Sequence, residues 1–369
     1  MSNTWVPTLG GSRRRLPVMA APPAQIPDFR VRVNGTGLPQ QARADIRAVI
    51  VEEDLDALSM FSMEMHNWDD EKLQVSWSDS TLFAIGNQVE VWVGYVGDLQ
   101  KVMVAEITGL EPAFTLDQPP VLTVRGYDLR HRLARDRKTR GFSMIKDSTI
   151  AAQVAREAGL LAQVKDTGEN LAFVAQSNQT DWEFLRQRAG QLGYEVYVRD
   201  KTLYFQPPGY AAQASARLAL GEDISEFTPR LSSLGLQSQV AVRGWDVKQK
   251  QAIVGSAAIG QESAMGKTSG PKAARSAWGK TSTSIVDQPV RTRGEADQIA
   301  RGQFNELALG YVQGTADGPG NPQLHAGMVV HIDGAGKTFS GAYYVTSVTH
   351  TLSQATGYRT SFSVERNAT

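Results

Sequence analysis

Apolar and polar residues alternate with a period of two along most of the chain, and a helical period replaces it at only a few places. From Asp28 to about Asp128 the pattern predicts strands at 29–33, running into the turn Asn34-Gly35, and at 46–51, 59–65, 73–77, 88–95, 102–110 and 121–127. In Gln88-Val-Glu-Val-Trp-Val, residues Val89, Val91 and Val93 share a face because successive strand side chains point to opposite sides. About seven short strands separated by Gly, Pro and Asp turns predict an antiparallel barrel or sandwich.

Between His131 and Pro208 two helices break this rhythm. Asp147 or Ser148 is the expected cap of the first, which carries Ile150, Val154 and Ala158 before Gly159. The second begins at a T-x-x-E capping box, Thr180 to Glu183, in which hydroxyl and carboxylate each satisfy a backbone N–H. Trp182, Leu185, Ala189 and Leu192 then form one apolar stripe, and Gly193 stops the helix as a left-handed residue. Tyr194 to Val198 and Thr202 to Gln206 follow as a hairpin about Arg199-Asp200-Lys201, closed by Pro207-Pro208.

Strands resume at 216–220 and 237–245, where Val242-Arg-Gly-Trp-Asp echoes Val124-Arg-Gly-Tyr-Asp. A longer echo runs from Gly327 to Arg366. There Gly327-Met-Val-Val-His-Ile, Tyr344-Val-Thr-Ser-Val-Thr-His and Thr360-Ser-Phe-Ser-Val-Glu-Arg follow the order of Gly86-Asn-Gln-Val-Glu-Val, Val104-Ala-Glu-Ile-Thr-Gly-Leu and Leu122-Thr-Val-Arg-Gly. Self-similarity over a whole domain predicts a duplicated fold. Ser256 to Ser284, rich in Ala, Ser, Gly, Lys and Thr, reads as a mobile loop. A second T-x-x-E box at Thr292 opens a helix with Ala296, Ile299, Ala300, Phe304 and Leu307 as its stripe.

The segment Gln176 to Phe205, with its TDWEFL and TLYF phrases, resembles the late control gene D family of contractile phage tails and the hub half of type VI VgrG spike proteins. Ile107-Thr-Gly-Leu-Glu-Pro, Val121-Leu-Thr-Val-Arg-Gly-Tyr-Asp and Ser340-Gly-Ala-Tyr-Tyr-Val-Thr-Ser-Val-Thr-His extend the resemblance in order along most of the chain. The resemblance implies a mainly β fold with α+β inserts: two duplicated antiparallel tube-type β-barrels plus a helix-and-hairpin domain. The expected divisions are a flexible arm at 1–26, a first barrel at 27–130, the helix-and-hairpin domain at 131–212, and a second barrel at 213–250 and 315–369. A small inserted domain with a flexible segment and a helix is expected at 251–314.

It also implies a non-enzymatic baseplate hub, a homotrimer that adapts a sixfold tail tube to a threefold spike. Its partners would be a separate trimeric spike protein, the first ring of tube protein and baseplate wedge proteins, with DNA or effectors passing through the channel. Such a hub would assemble in the cytoplasm and then belong to a virion or an extracellular or cell-associated contractile particle. The terminal strand 360–366 is expected to close the second barrel, which would leave the spike on another polypeptide. The alternatives are a tail-associated peptidoglycan hydrolase and a cell-wall-binding module centred on 131–208.

Composition changes this picture little. A length of 369 residues suits two or three domains, and 38 basic against 38 acidic side chains give no global field to attract nucleic acid. With no cysteine, neither disulfides nor thiolate metal sites are available. Arg13-Arg14-Arg15 precedes the apolar run 16–21, too short for a signal peptide, and no stretch has the roughly 20 apolar residues of a membrane span.

Gly-Lys-Thr occurs at 266–268, 279–281 and 336–338, but a phosphate loop needs a glycine where Gln261, Ala274 and His331 stand. The histidines at 66, 131, 325, 331 and 350 include no helical pair of ligands. His331 and His350 fall in expected strands that could bring them together, although nothing supplies further ligands. Glu52-Glu53-Asp54 and Asp69-Asp70-Glu71 read as solvated turns rather than acid–base pairs, since a donor carboxyl must be buried to hold its proton. Trp77, Trp92, Trp182 and Trp245 are expected in the core or at subunit contacts. No catalytic, cofactor or metal residues, and no cofactor, are assigned.

Overall fold

The computed structural model describes residues 26–210 and 212–369; the expected N-terminal arm, with Arg13 to Arg15, falls outside them up to residue 25. Its framework is a 13-stranded sheet. From edge to edge the strands run Glu226–Leu231, Val312–Pro319, Gly357–Arg366, Gly341–Ser353, Ile46–Asp54, Met60–His66, Val121–Asp128, Asp98–Ala113, Gln88–Tyr95, Pro27–Val33 and Thr36–Gly37. Ala216–Ala219 and Val329–Asp333 branch from Gly341–Ser353. The period of two is visible in the burial: Phe61, Met63 and Met65 are buried, as are Val89, Val91 and Val93, while the residues between them are not. These side chains fill one core, and Tyr343, Val345, Val348, Phe362 and Val364 belong to a second.

The strand Gly341–Ser353 joins the two halves. Its start pairs with Val329–Ile332, and its end, Ser347–Ser353, pairs antiparallel with Asp54–Ala48. The first half contributes strands 27–33, 46–54, 60–66, 88–95, 98–113 and 121–128; the second contributes 216–219, 226–231, 312–319, 329–333, 341–353 and 357–366. Numbered along the chain within each half, both sets pair in the order first, fourth, fifth, sixth, third, second. Details repeat as well. Gly86 and Gly327 both have positive φ, and each donates its N–H at 2.8 Å, to the carbonyls of Ile107 and Val345 respectively. The next residues, Asn87 and Met328, accept from Ile107 N and Val345 N, both at 2.9 Å. The register then slips at Thr108 in one half and at Thr346 in the other. One feature differs: the first and fourth strands are antiparallel in the first half and parallel in the second.

Among the described residues the helices are α1 (Gln40–Asp45), α2 (Asp147–Glu157), α3 (Asp181–Leu192), α4 (Gly270–Trp278), α5 (Arg293–Leu309) and α6 (Gly336–Phe339). In α3 the capping box is complete, Thr180 Oγ1 accepting from Glu183 N at 3.1 Å and Glu183 Oε2 from Thr180 N at 3.0 Å. Gly193 ends the helix at φ 65°. Phe184 joins the buried stripe, whereas Leu192 is only half-buried. α2 departs from expectation: its N-cap is Lys146 without a side-chain cap, because the Asp147 carboxylate is held by Arg188 at 2.6 and 2.8 Å.

Several sequence expectations are corrected. The strand expected at 73–77 shrinks to Gln74–Val75, paired with Trp68–Asp69. Strands Arg137–Ile145, Leu161–Val164 and Leu171–Thr180, unmarked in the sequence reading, pair around the helices of the middle unit. Gln239–Asp246, allotted to the second barrel, instead joins Gln251–Ala258 and Ser282–Ile285 in a separate three-stranded sheet covered by α5. Val240 and Val242 alternate as any sheet strand does, so the pattern could not name their partners, and the Val242-Arg-Gly-Trp-Asp echo is coincidental. Ser256 to Ser284 is not a loop: it contains α4, whose Ala274 reaches the second core and whose Gly270 packs on the Tyr311 ring.

Candidate functional site

The residues singled out by sequence are scattered. Glu53 lies within a strand and accepts from His325 Nδ1 at 2.7 Å, so the Glu52-Glu53-Asp54 cluster is no solvated turn. Asp54 caps the N–H groups of Asp56 and Ala57. Asp69, by contrast, does organise a turn, accepting from Glu71 N and Lys72 N and pairing with Lys72 Nζ at 2.8 Å, and these contacts hold its carboxyl below the usual range. His331 sits opposite Ala342 near the start of Gly341–Ser353 and pairs with Asp333 at 3.3 Å. His350 lies near the far end of that strand, beside His325, with ring centroids 6.4 Å apart. The two are therefore not a metal pair. Among the described residues no cluster of three or more His, Asp or Glu is placed to hold an ion. Trp77 and Trp182 are buried, whereas Trp245 is 59% exposed, which removes the core from its two expected places and leaves the subunit contact.

Two polar knots fix the middle unit to the first sheet. Buried Arg130 bonds Asp128 at 2.7 Å and the Asp54 carbonyl at 2.9 Å, and its guanidinium stacks 5.4 Å from the Trp182 ring centre. Beside it Glu106 takes Arg132 and His131, and the Arg132 contact above all holds its carboxyl low. Charges buried in this way must be paired and hydrogen-bonded, and these are.

A cavity of about 260 Å³ opens where α3, the hairpin, α5 and the second sheet meet. Asp56, Glu195, Glu306 and Glu365 line it with Arg186, Tyr210 and Tyr344. The Tyr344 hydroxyl lies 2.7 and 2.6 Å from the two Glu195 oxygens, and the Tyr210 ring meets Tyr344 edge-on at 5.4 Å. Burial, followed by the nearby Asp56 charge, pushes Glu195 up to about 7. Burial raises Glu306 and Glu365 as well, with Asp56 adding repulsion. Glu195 can thus exchange a proton near neutrality, yet its carboxyl is engaged by Tyr344, which suits a brace between hairpin and sheet. The sequence did not reveal this site because its carboxylates are single residues on three separate elements and a loop.

No curated protein matches the sequence. Among solved structures, a 43 kDa tail protein of prophage MuSo2 from Shewanella oneidensis superposes with a TM-score of 0.69 at 17% identity, covering 92% of this chain and 98% of that one. A tail protein from Neisseria meningitidis MC58 gives 0.67 at 14% identity, over 92% and 96%. A component of the Escherichia coli type VI secretion system, itself structurally similar to the bacteriophage T4 tail proteins gp27 and gp5, gives 0.60 at 11% identity, over 90% and 76%. The fold is accordingly one shared by phage tail and type VI secretion proteins. Residues 23–354 match the family model described as the Alg8 N-terminal domain, and the chain belongs to that family.

Proposed function

We propose that this chain is a structural hub of a contractile tail or injection system, built by duplication of one six-stranded unit. The observation that carries the reading is the repeated pairing order, with the Gly86 and Gly327 hydrogen bonds and the Thr108 and Thr346 register slips at matching places. Three copies, each with two similar units, present six similar surfaces to a sixfold tube while keeping threefold symmetry toward a spike. Its partners are a trimeric spike, the first tube ring and wedge proteins, and its channel passes DNA or effectors. It assembles in the cytoplasm before becoming part of the particle, and its role is not enzymatic.

Native mass spectrometry of the chain with co-expressed spike and tube proteins tests this. A trimer strengthened by a partner in three copies is expected; a monomer or dimer indifferent to both partners refutes it. The rival hydrolase reading has one observation in its favour, the proton held by Glu195. Cleavage of purified cell walls that is abolished by Glu195→Gln would establish that rival instead.

A further inference from the structure

The carboxylate-lined cavity gathers more negative charge than the protein itself neutralises. Arg186 is the one cation of its lining, and it pairs with Asp56 at 3.3 Å. Glu306 and Glu365 meet only the neutral amides of Gln303 at 3.3 Å and Gln313 at 2.9 Å, and Glu195 meets only the Tyr344 hydroxyl. The charges that do reach these three glutamates are negative, Asp56 first among them. Partly buried charge of one sign is costly unless something pairs with it.

Tyr210 points to the same need independently. It lines the cavity, is only 8% exposed and packs edge-on against Tyr344, yet among the described residues its hydroxyl has no hydrogen-bond partner. Buried hydroxyls are normally satisfied. Burial, and after it the charges of Glu195, Glu306 and Glu365, raise this hydroxyl, so it stands among the three carboxylates. An open acceptor beside surplus negative charge calls for a guest that is cationic and donates hydrogen bonds.

We propose that the cavity binds a linear aliphatic polyamine, with its ammonium groups set against Glu195, Glu306 and Glu365 and its methylenes against the apolar wall. Leu55, Trp182, Val196 and Leu309 supply that wall. A bare metal ion fits poorly. The volume of about 260 Å³ is many times the roughly 30 Å³ of one water. A divalent cation needs several oxygens within about 2.0 to 2.6 Å, whereas among the described residues no three carboxylates are placed to share an ion. Ammonium groups strung along a flexible chain can instead reach carboxylates that stand apart. The lining also runs from solvent inward: Glu306 is exposed, Glu365 and Glu195 are half-buried, and Tyr344 is buried. Such a site stands whether or not the chain is a hub.

Titration calorimetry of the full-length chain with spermidine at pH 7.5, in about 0.15 M salt to screen exposed charges, tests this. One equivalent should bind. Glu306→Gln with Glu365→Gln should weaken binding about tenfold or more, and Tyr210→Phe, which keeps the ring, about threefold. Glu222→Gln with Glu226→Gln removes the same charge from exposed positions outside the cavity and should change the affinity less than about twofold. Equal weakening by the two pairs, or no binding to the unaltered chain, overturns the site. Mg²⁺ that displaces spermidine at equal concentration overturns the polyamine in favour of a metal ion.

Discussion

His350 is buried against Thr360, Tyr358 and the Leu324 carbonyl, and desolvation holds its imidazole down at about 4. Below the ordinary value near 6.5 the unfolded chain therefore takes up a proton that the folded one refuses, and stability falls as pH drops from about 6.5 to 4. Glu195 acts in the opposite sense. Its folded value of about 7 lies above the unfolded 4.5, so between these the folded chain binds the extra proton and gains stability as pH drops. The two linkages oppose each other over much of one window, and the wild-type profile should be nearly flat there. Glu195→Gln should expose the histidine's slope, losing up to about 3 kcal/mol on acidification; His350→Gln should expose the reverse. Urea unfolding at pH 7, 6 and 5 measures both, and two variants that both follow the wild-type profile would remove both assignments. A second expectation concerns Thr180 and Trp182. Thr180→Ala should cost about 1 kcal/mol by losing the cap, and Trp182→Ala about 3 to 5 kcal/mol, since the indole is buried beneath Arg130. Unchanged thermal stability in Trp182→Ala would contradict its core role.

Among elements, the end of α3 and the middle of α5 approach each other closely. A Cβ on Gly302 would sit 2.6 Å from Gly193 N and 2.7 Å from Gly193 Cα, so the helices touch backbone to backbone. Gly302→Ala should push them apart and cost about 1 to 3 kcal/mol in urea unfolding; a neutral or stabilising result would mean that the contact relaxes freely. The Ser256 to Ser284 stretch gives an element-scale test of its own. Lys272 and Arg275 lie in α4, whose apolar side is buried, so limited trypsin digestion should spare them until the second core opens. Early cuts there would restore the mobile reading. These two regions also show what the sequence could and could not tell. The α3 unit was legible because cap, stripe and terminating glycine are all local features. α4 was not, because its small residues lack the bulk of a normal apolar stripe and its burial depends on Tyr311, distant in sequence. Strand existence was mostly legible from alternation. Strand partners were not, as Gln239–Asp246 demonstrates, since a single strand carries no label for its neighbour. The carboxylate cavity was equally silent because only tertiary packing gathers Glu195, Glu306 and Glu365.

At the scale of the whole molecule, the two halves are tied by more than the seam of Ser347–Ser353 against Asp54–Ala48. Tyr95 of the first sheet donates to the Gly320 carbonyl at 2.9 Å and packs on Tyr358, while Glu53 takes His325 at 2.7 Å. The middle unit adds Arg199 to the Ala326 carbonyl at 2.6 Å, Lys101 to Asp200 at 3.2 Å and the Tyr344 to Glu195 brace. With backbone ladder, buried aromatics and charged contacts all crossing the same boundary, neither sheet can lose its structure without exposing the flank of the other. The two sheets should therefore unfold as one cooperative unit, although chains of this length often divide. Calorimetry should give a single transition for the sheet pair, with calorimetric and van't Hoff enthalpies in agreement. Tyr95→Phe, which removes one inter-sheet hydrogen bond, should lower that transition by the equivalent of about 1 kcal/mol without splitting it. Two resolved transitions in the wild type, or a split produced by Tyr95→Phe alone, would mean that the halves are independent domains in series.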